Sequence, residues 1–305
     1  MRPVLLMWRW SPTDTSPFKT KRTLQPVEWL EAHHLPIGQY AESFVDWLTA
    51  NFTPVFDGLT AFLQAVIDGI LFVLTWPNPF VVVAAFCAIA WFARRSIVPV
   101  IFTLFGFLLI INLGYWDDTT QTLALVIAAT ATCMIIGVPL GIAAARREWV
   151  YVILRPILDL MQTIPTFVYL IPALILFGLG MVPGLVATVI FSLPASIRLT
   201  RLGIASTPTQ LLEAGDAFGA TPMQRLLKVE IPYALPQIMA GLTQTIMLSL
   251  SMVVIAALVG APGLGVPVLR ALNAINVGDG FESGLAIVLL AIILDRFFRV
   301  EEKGR

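Results

Sequence analysis

Charge is what this sequence has least of. Of 305 residues, 12% are Asp, Glu, Lys or Arg and 58% are hydrophobic, giving a mean hydropathy of +0.85. Soluble domains carry about 25% charged residues, so a water-soluble protein of this size is excluded. Basic and acidic residues balance at 19 each, which leaves no net field to hold a nucleic acid. Histidine is almost missing. His33 and His34 are adjacent, point to different faces of a helix, and make a poor metal pair. The two cysteines, Cys87 and Cys133, lie inside apolar runs. They read as small buried hydrophobes rather than a disulfide framework or metal ligands. No G-x-x-x-x-G-K-[ST] loop occurs anywhere, so the chain has no phosphate-cradling site of that type. No catalytic residue, metal or bound cofactor is expected.

What is there is long apolar runs. Crossing ~30 Å of hydrocarbon takes about 20 apolar residues in a helix. Seven segments look like spans, the shortest of them below that length: Pro79–Ala93, Ile97–Leu113, Gln121–Ala145, Ile157–Leu179, Val182–Leu199, Ala234–Val259 and Gly284–Phe298. A β-barrel would instead show alternating segments of about 10 residues. The fold class is therefore an all-α polytopic membrane protein. Residues 1–26 read as a mobile tail, with too short an apolar run for a signal peptide. Residues 27–76 read as an amphipathic, interfacial helical region. Within it, Glu28 to Phe52 suits one or two short helices anchored by Trp29 and Trp47. From Val55 to Trp76, Asp57, Thr60, Gln64 and Asp68 make a polar stripe. Such a stripe favours lying in the interface, with crossing as the alternative. Residues 77–300 form the membrane domain and 301–305 a short tail.

Loop charges orient the spans. Arg94, Arg95, Arg146, Arg147, Arg155, Arg198, Arg201, Arg225, Lys228, Arg296, Arg299, Lys303 and Arg305 all fall on one side. The other side has Asp117, Asp118, Asp279 and Glu282 with only Arg270. The positive-inside rule makes the basic side cytoplasmic. The C-terminus is then inside and, with seven spans, the N-terminus outside. Asp159 follows Arg155 by four residues, which predicts an intrahelical pair.

The longest cytoplasmic loop, residues 206–232, contains "EAGDAFGATPMQRLLKVEIP", Glu213 to Pro232. Thr207 to Gln210 offers capping chemistry for a first helix. Gly219 allows a bend. Thr221 and Pro222 are a cap and first residue for a second helix running to Pro232. Leu211, Leu212, Ala214, Ala217, Phe218, Leu226 and Leu227 would form an apolar ridge. A solvated linker needs neither capped helices nor a small-residue bend.

These residues resemble the "EAA" loop of ABC importer permeases, in which Glu-Ala-Ala, three residues, Gly and nine residues precede Ile-x-Leu-Pro. Here the match is Glu213, Ala214, Gly219 and Pro232, with Gly215 in place of the second Ala and Val229 and Ile231 in place of Ile and Leu. Leu154–Ile204 and Gly241–Gly265 are similar to the glycine betaine/proline betaine (ProW-like) branch, and the similarity runs from about Ala41 to Phe298. The resemblance implies a type I ABC importer transmembrane domain of about seven helices in the bacterial inner membrane. It implies a permease homodimer, two cytoplasmic ATPase subunits that bind ATP and Mg, and an extracytoplasmic binding protein. Glu213, Ala214, Gly215, Asp216, Ala217, Phe218 and Gly219 would be the joint to the ATPase. The implied cargo is a quaternary-amine osmoprotectant: glycine betaine or proline betaine, with choline, carnitine or trimethylamine N-oxide as alternatives.

Pathway residues are read from chemistry. Pro165 and Pro172 free backbone carbonyls, and Gln162, Phe167 and Tyr169 are their neighbours. Aromatic faces attract quaternary ammonium, though the same rings serve equally well as packing. Ser249, Ser251 and Met252 place hydroxyls and a thioether mid-span, where serines also bond back to their own helix. The external loop Gly260–Ser283 is a candidate docking surface or outer gate. A secondary transporter would want ionisable residues at span centres, and an intramembrane serine protease would need a base beside its serine. The spans supply neither.

Overall fold

A computed structural model describes residues 36–298, and over them the chain is helical with no strand. The chain packs as two units, Met1–Leu48 and Thr49–Arg305. Of the first, the described part is the start of helix α1, where Phe44 and Trp47 stack at 6.3 Å.

Helix α1 is Ile37–Thr75. Where short separate elements were expected, one 39-residue helix runs through Pro54, roughly 58 Å at 1.5 Å per residue. It is long and apolar enough to cross a membrane. Ile67 and Leu74 are buried against the body. Asp57 and Asp68 stay exposed, and the Gln64 amide donates to Asp68 at 2.8 Å.

Helices α2 (Pro79–Arg94) and α3 (Ile97–Asn112) form a tight hairpin. Asn78 caps α2 by accepting from the Phe80 N–H. Each has 16 residues, about 24 Å, somewhat short of the hydrocarbon thickness. Helices α4 (Trp116–Arg146), α7 (Met181–Ala205), α10 (Ile231–Ala257) and α12 (Val277–Phe298) are each long enough to cross.

The expected fourth span is not one straight helix. It is α5 (Glu148–Thr163) and α6 (Thr166–Phe177), bent by 97°. Pro165 causes the break. A proline disfavours helical backbone in the residue before it, and Ile164 is extended at φ −67°, ψ 129°. Asp159 of α5 reaches across to Arg198 of α7 at 2.6 Å, so the expected partner, Arg155, is displaced by a tertiary one.

Helix α7 is the hub, sandwiched between α4 and α10. Its buried face repeats small residues every four positions: Gly184, Thr188, Ser192, Ser196, Thr200. With no hydrophobic drive between helices in lipid, close van der Waals approach and short hydrogen bonds hold them together. Gly137 and Gly141 of α4 supply that approach. A Cβ on Gly137 would lie 1.9 Å from Ser196 Oγ, and one on Gly141 2.7 Å from Thr200 Cβ. Ser196 Oγ donates to the Cys133 carbonyl at 3.1 Å.

Contacts also sort helix ends. At one end the Leu264 N–H donates to Thr122 Oγ1 at 2.8 Å, and Gly180 N–H to the Val259 carbonyl at 3.0 Å. That gathers the start of α4, the start of α7 and the end of α10. The opposite end holds the close of α4 and the segment before α10. The bent α5–α6 pair must therefore carry the chain from one end to the other.

Candidate functional site

The segment between α7 and α10 is built as helix, bend, helix. Helix α8 is Thr209–Ala217. Its N-cap is Pro208, with no side-chain cap bond. Thr207, expected to cap it, is instead buried, and its hydroxyl has no partner among the described residues. At the C-terminal end Gly219 takes φ +73°, the left-handed region that glycine enters without steric cost. The Gly219 N–H donates to the Asp216 carbonyl at 2.9 Å and the Ala220 N–H to the Gly215 carbonyl at 3.0 Å. This is a Schellman closure. Thr221 and Gln224 then make a reciprocal capping box with Pro222 at the first position of α9, Pro222–Arg225, satisfying two otherwise orphan N–H groups.

The second helix does not end at Pro232 as expected. Helix α9 passes through a π turn, Leu226–Glu230, directly into α10. Proline has no N–H and its ring crowds the carbonyl four residues back. The π turn sits on that stretch: Ile231 N–H reaches the Leu226 carbonyl, five residues back, and the extra residue relieves the crowding. The bend is therefore continuous with a 36-residue rod, Pro222–Ala257.

Four charges brace the bend. Arg225 Nη1 lies 3.0 and 2.9 Å from the two oxygens of Asp216. Its Nε donates to Glu230 Oε1 at 3.3 Å. Arg146, at the end of α4, approaches the same Oε1 at 3.5 Å and donates to the Pro222 carbonyl at 2.9 Å. The Glu230 side chain is 7% exposed. A buried carboxylate is tolerable only when paired, and here two guanidinium groups pair it.

The apolar ridge is only partly as expected. Leu211, Ala214 and Phe218 are exposed along one face of α8, and Phe218 at the tip is 92% exposed. Leu226 instead turns inward, packing with Ile204, Ala234 and Ile238. Glu213 and Ala217 are also exposed, while Ile231 is half-buried. Gly215 faces Arg225 and Val229, where an added Cβ would make ordinary contact at 3.8 Å and beyond.

The expected pathway residues are not gathered into one place. Gln162 and Pro165 are exposed near the α5–α6 break, Phe167 is 55% exposed, and Pro172 is half-buried. Tyr169 packs beside Leu170, Met252 and Phe191, and its buried hydroxyl has no partner among the described residues. Ser249 is fully buried and its hydroxyl meets that of Ser192 at 3.4 Å. Ser251 points out and bonds back to the Met247 carbonyl at 3.0 Å. Met252 is core.

Residues 137–300 match the family described as binding-protein-dependent transport system inner membrane component. The glycine betaine transport system permease protein OpuAB of Bacillus subtilis is 49% identical over 275 residues, covering 89% of this chain and 97% of OpuAB. The glycine betaine/proline betaine transport system permease protein ProW of Escherichia coli is 45% identical over 263 residues, 86% of this chain and 74% of ProW. Among solved structures, a chain of the MetNI methionine ABC transporter in inward-facing conformations superposes with a TM-score of 0.53 at 25% identity, over 59% of this chain and 92% of that one. The chain thus belongs to the binding-protein-dependent transport system inner membrane components, as an ABC importer permease of the branch that includes OpuAB and ProW.

Proposed function

We propose that this permease carries glycine betaine and proline betaine, or a related quaternary amine, in a complex of two permease copies, two ATPase subunits and an extracytoplasmic binding protein. The observation that carries the coupling part is Phe218, a large apolar side chain left almost wholly exposed at the tip of α8 on a bend that capping and ion pairs hold rigid. Such a knob fits a groove on a partner. The partner is the ATPase, with ATP and Mg bound there, and Glu213 through Gly219 form the joint. The cargo follows from the relatives, OpuAB and ProW, whose names specify betaines.

The mechanism is alternation. ATP closes the two ATPases and brings the two α8 joints together. Because α9, the π turn and α10 are continuous, the displacement enters the membrane along α10 and, through Arg146, along α4. The path opens outward to take solute, and hydrolysis resets it. Aromatic rings flank the break that Pro165 makes, and Phe167 and Tyr169 offer faces to a quaternary ammonium group. Gln162 and Pro172 lie on the same bent pair and extend the candidate path, while Ser249, Ser251 and Met252 lie on α10.

The topology we propose has the C-terminus in the cytoplasm and the N-terminus outside, with α1 lying in the interface. A carboxylate facing lipid at mid-membrane costs about 2.5–3.5 kcal/mol on the insertion scale, and α1 exposes Asp57 and Asp68.

The test is uptake of labelled glycine betaine by cells lacking their own osmolyte importers, expressing this chain with its ATPase and binding protein. Uptake that disappears when the ATPase site is inactivated supports the reading. An assembled complex that takes up no betaine removes the cargo assignment.

A further inference from the structure

We infer that Glu230 is a positioning residue for energy coupling: it locks the α8 joint, the α9–α10 rod and the end of α4 into one moving body. The inference rests on the importer reading above and deepens it.

Four observations converge on this carboxylate. It is nearly fully buried, although Leu227 and Lys228 of the same π turn are exposed. It closes the π turn, so its side chain is set by the one irregular turn in the rod. A single oxygen, Oε1, receives two cations from different elements: Arg225 of α9 at 3.3 Å and Arg146 of α4 at 3.5 Å. Each cation then makes a second tie. Arg225 holds Asp216 on α8, and Arg146 holds the Pro222 carbonyl at the start of α9.

Consider the joint without this node. α8 connects to α9 through the short turn at Gly219, and glycine supplies little stiffness. A push on Phe218 would bend that turn and dissipate. With Glu230 in place, α8 is tied through Asp216 and Arg225 to the π turn. Through Arg146 the π turn is tied to α4, and the same arginine holds the Pro222 carbonyl, 76 residues away in sequence. The push then reaches two membrane helices together. The group count is balanced, with two carboxylates and two guanidinium groups, so the buried Glu230 and the half-buried Arg225 and Arg146 all have partners, and Asp216 holds Arg225 from the exposed side.

The test uses the whole complex reconstituted with its ATPase and binding protein in liposomes. Labelled glycine betaine transported and ATP hydrolysed are measured in the same preparation. Glu230→Gln keeps the shape and removes the charge. The expected result is near-normal ATP hydrolysis with uptake reduced about tenfold, the size of a typical coupling term, so that ATP used per solute rises. Glu230→Asp should recover part of the lost ratio. Uptake and hydrolysis falling together, in step with the amount of assembled complex, would mean that Glu230 merely stabilises the fold and would overturn the inference.

Arg146→Gln is the second variant, because the Arg146 side chain is 30% exposed and its loss spares the Arg225–Glu230 contact. It should uncouple less than Glu230→Gln does. An unchanged ratio in Arg146→Gln overturns the link to α4 even if Glu230→Gln fails to assemble. Failure of the wild-type complex to show ATPase-dependent uptake would count against the proposed function instead, so the two outcomes stay distinct.

Discussion

Nη1 of Arg225 sits 3.0 and 2.9 Å from the two carboxylate oxygens of Asp216, closing the bend at Gly219 from the inside. The pair is partly exposed, 28% and 56% for the two side chains. Exposed pairs contribute about 0–1 kcal/mol, so Asp216→Asn should lower the melting of the purified permease only slightly. Glu230→Ala removes the buried acceptor shared by two cations, although Arg225 keeps Asp216 and Arg146 keeps the Pro222 carbonyl, and should cost about 1–3 kcal/mol. Thermal melts in detergent should therefore rank the two variants apart. Equal losses would contradict the burial difference.

Two glycines four residues apart should respond in opposite ways. Gly219 is held at positive φ, where a side chain costs roughly 1–2 kcal/mol, although the space around it is open. Gly219→Ala should therefore weaken both melting and uptake, and Gly219→Val should abolish uptake. Gly215→Ala meets only ordinary contacts and gains up to about 1 kcal/mol of helix propensity. It should transport normally and melt no lower than wild type.

Gly137 and Ser196 mark where α4 and α7 touch. A Cβ at 137 would overlap both Ser196 Oγ at 1.9 Å and Ser196 Cβ at 2.8 Å. Overpacking of this kind costs about 1–3 kcal/mol. Gly137→Ala should reduce stability by that amount, Ser196→Ala added to it should help little, and Ser196→Gly should restore most of the loss. Rescue by Ser196→Ala alone would mean that only the hydroxyl was in the way.

Phe218 should separate docking from folding. Its side chain touches little of its own chain, so Phe218→Asp should leave melting and membrane insertion unchanged. It should abolish co-purification of the ATPase and betaine uptake. Retained co-purification would move the contact elsewhere on α8.

Topology has a direct measurement. With Cys87 and Cys133 replaced by alanine, a cysteine introduced at Ser11 should react with a membrane-impermeant maleimide on intact cells whose outer barrier is open. Labelling only after the cytoplasmic membrane is broken would mean that α1 crosses.

Much of this was legible in the sequence, for identifiable reasons. The Gly219 bend, the Thr221 cap and the position of Pro222 are local chemistry, and local rules predict them. The apolar helices follow from a solvent that leaves backbone groups nowhere to go except into helical hydrogen bonds. The EAA-like spacing was readable because it lies within twenty consecutive residues. Other features were not readable. Thr207 looked like a cap but lies buried, because neighbouring helices decide that. Asp159 had a plausible partner four residues away and took Arg198 instead. Arg146 looked like one more positive-inside charge, and nothing in its neighbourhood announced Glu230. The bend at Pro165 had its proline in view, but its angle of 97° depends on what α5 and α6 pack against.

By itself, then, the sequence determined a helical membrane protein and the capped bend at Gly219, because composition and turn residues act over short distances. Only the tertiary structure decided that the bend runs unbroken into α10, that Leu226 turns inward, and that Glu230 joins three elements. Those outcomes depend on residues far apart in the chain meeting in space. A buried carboxylate takes whichever cations the packing brings to it.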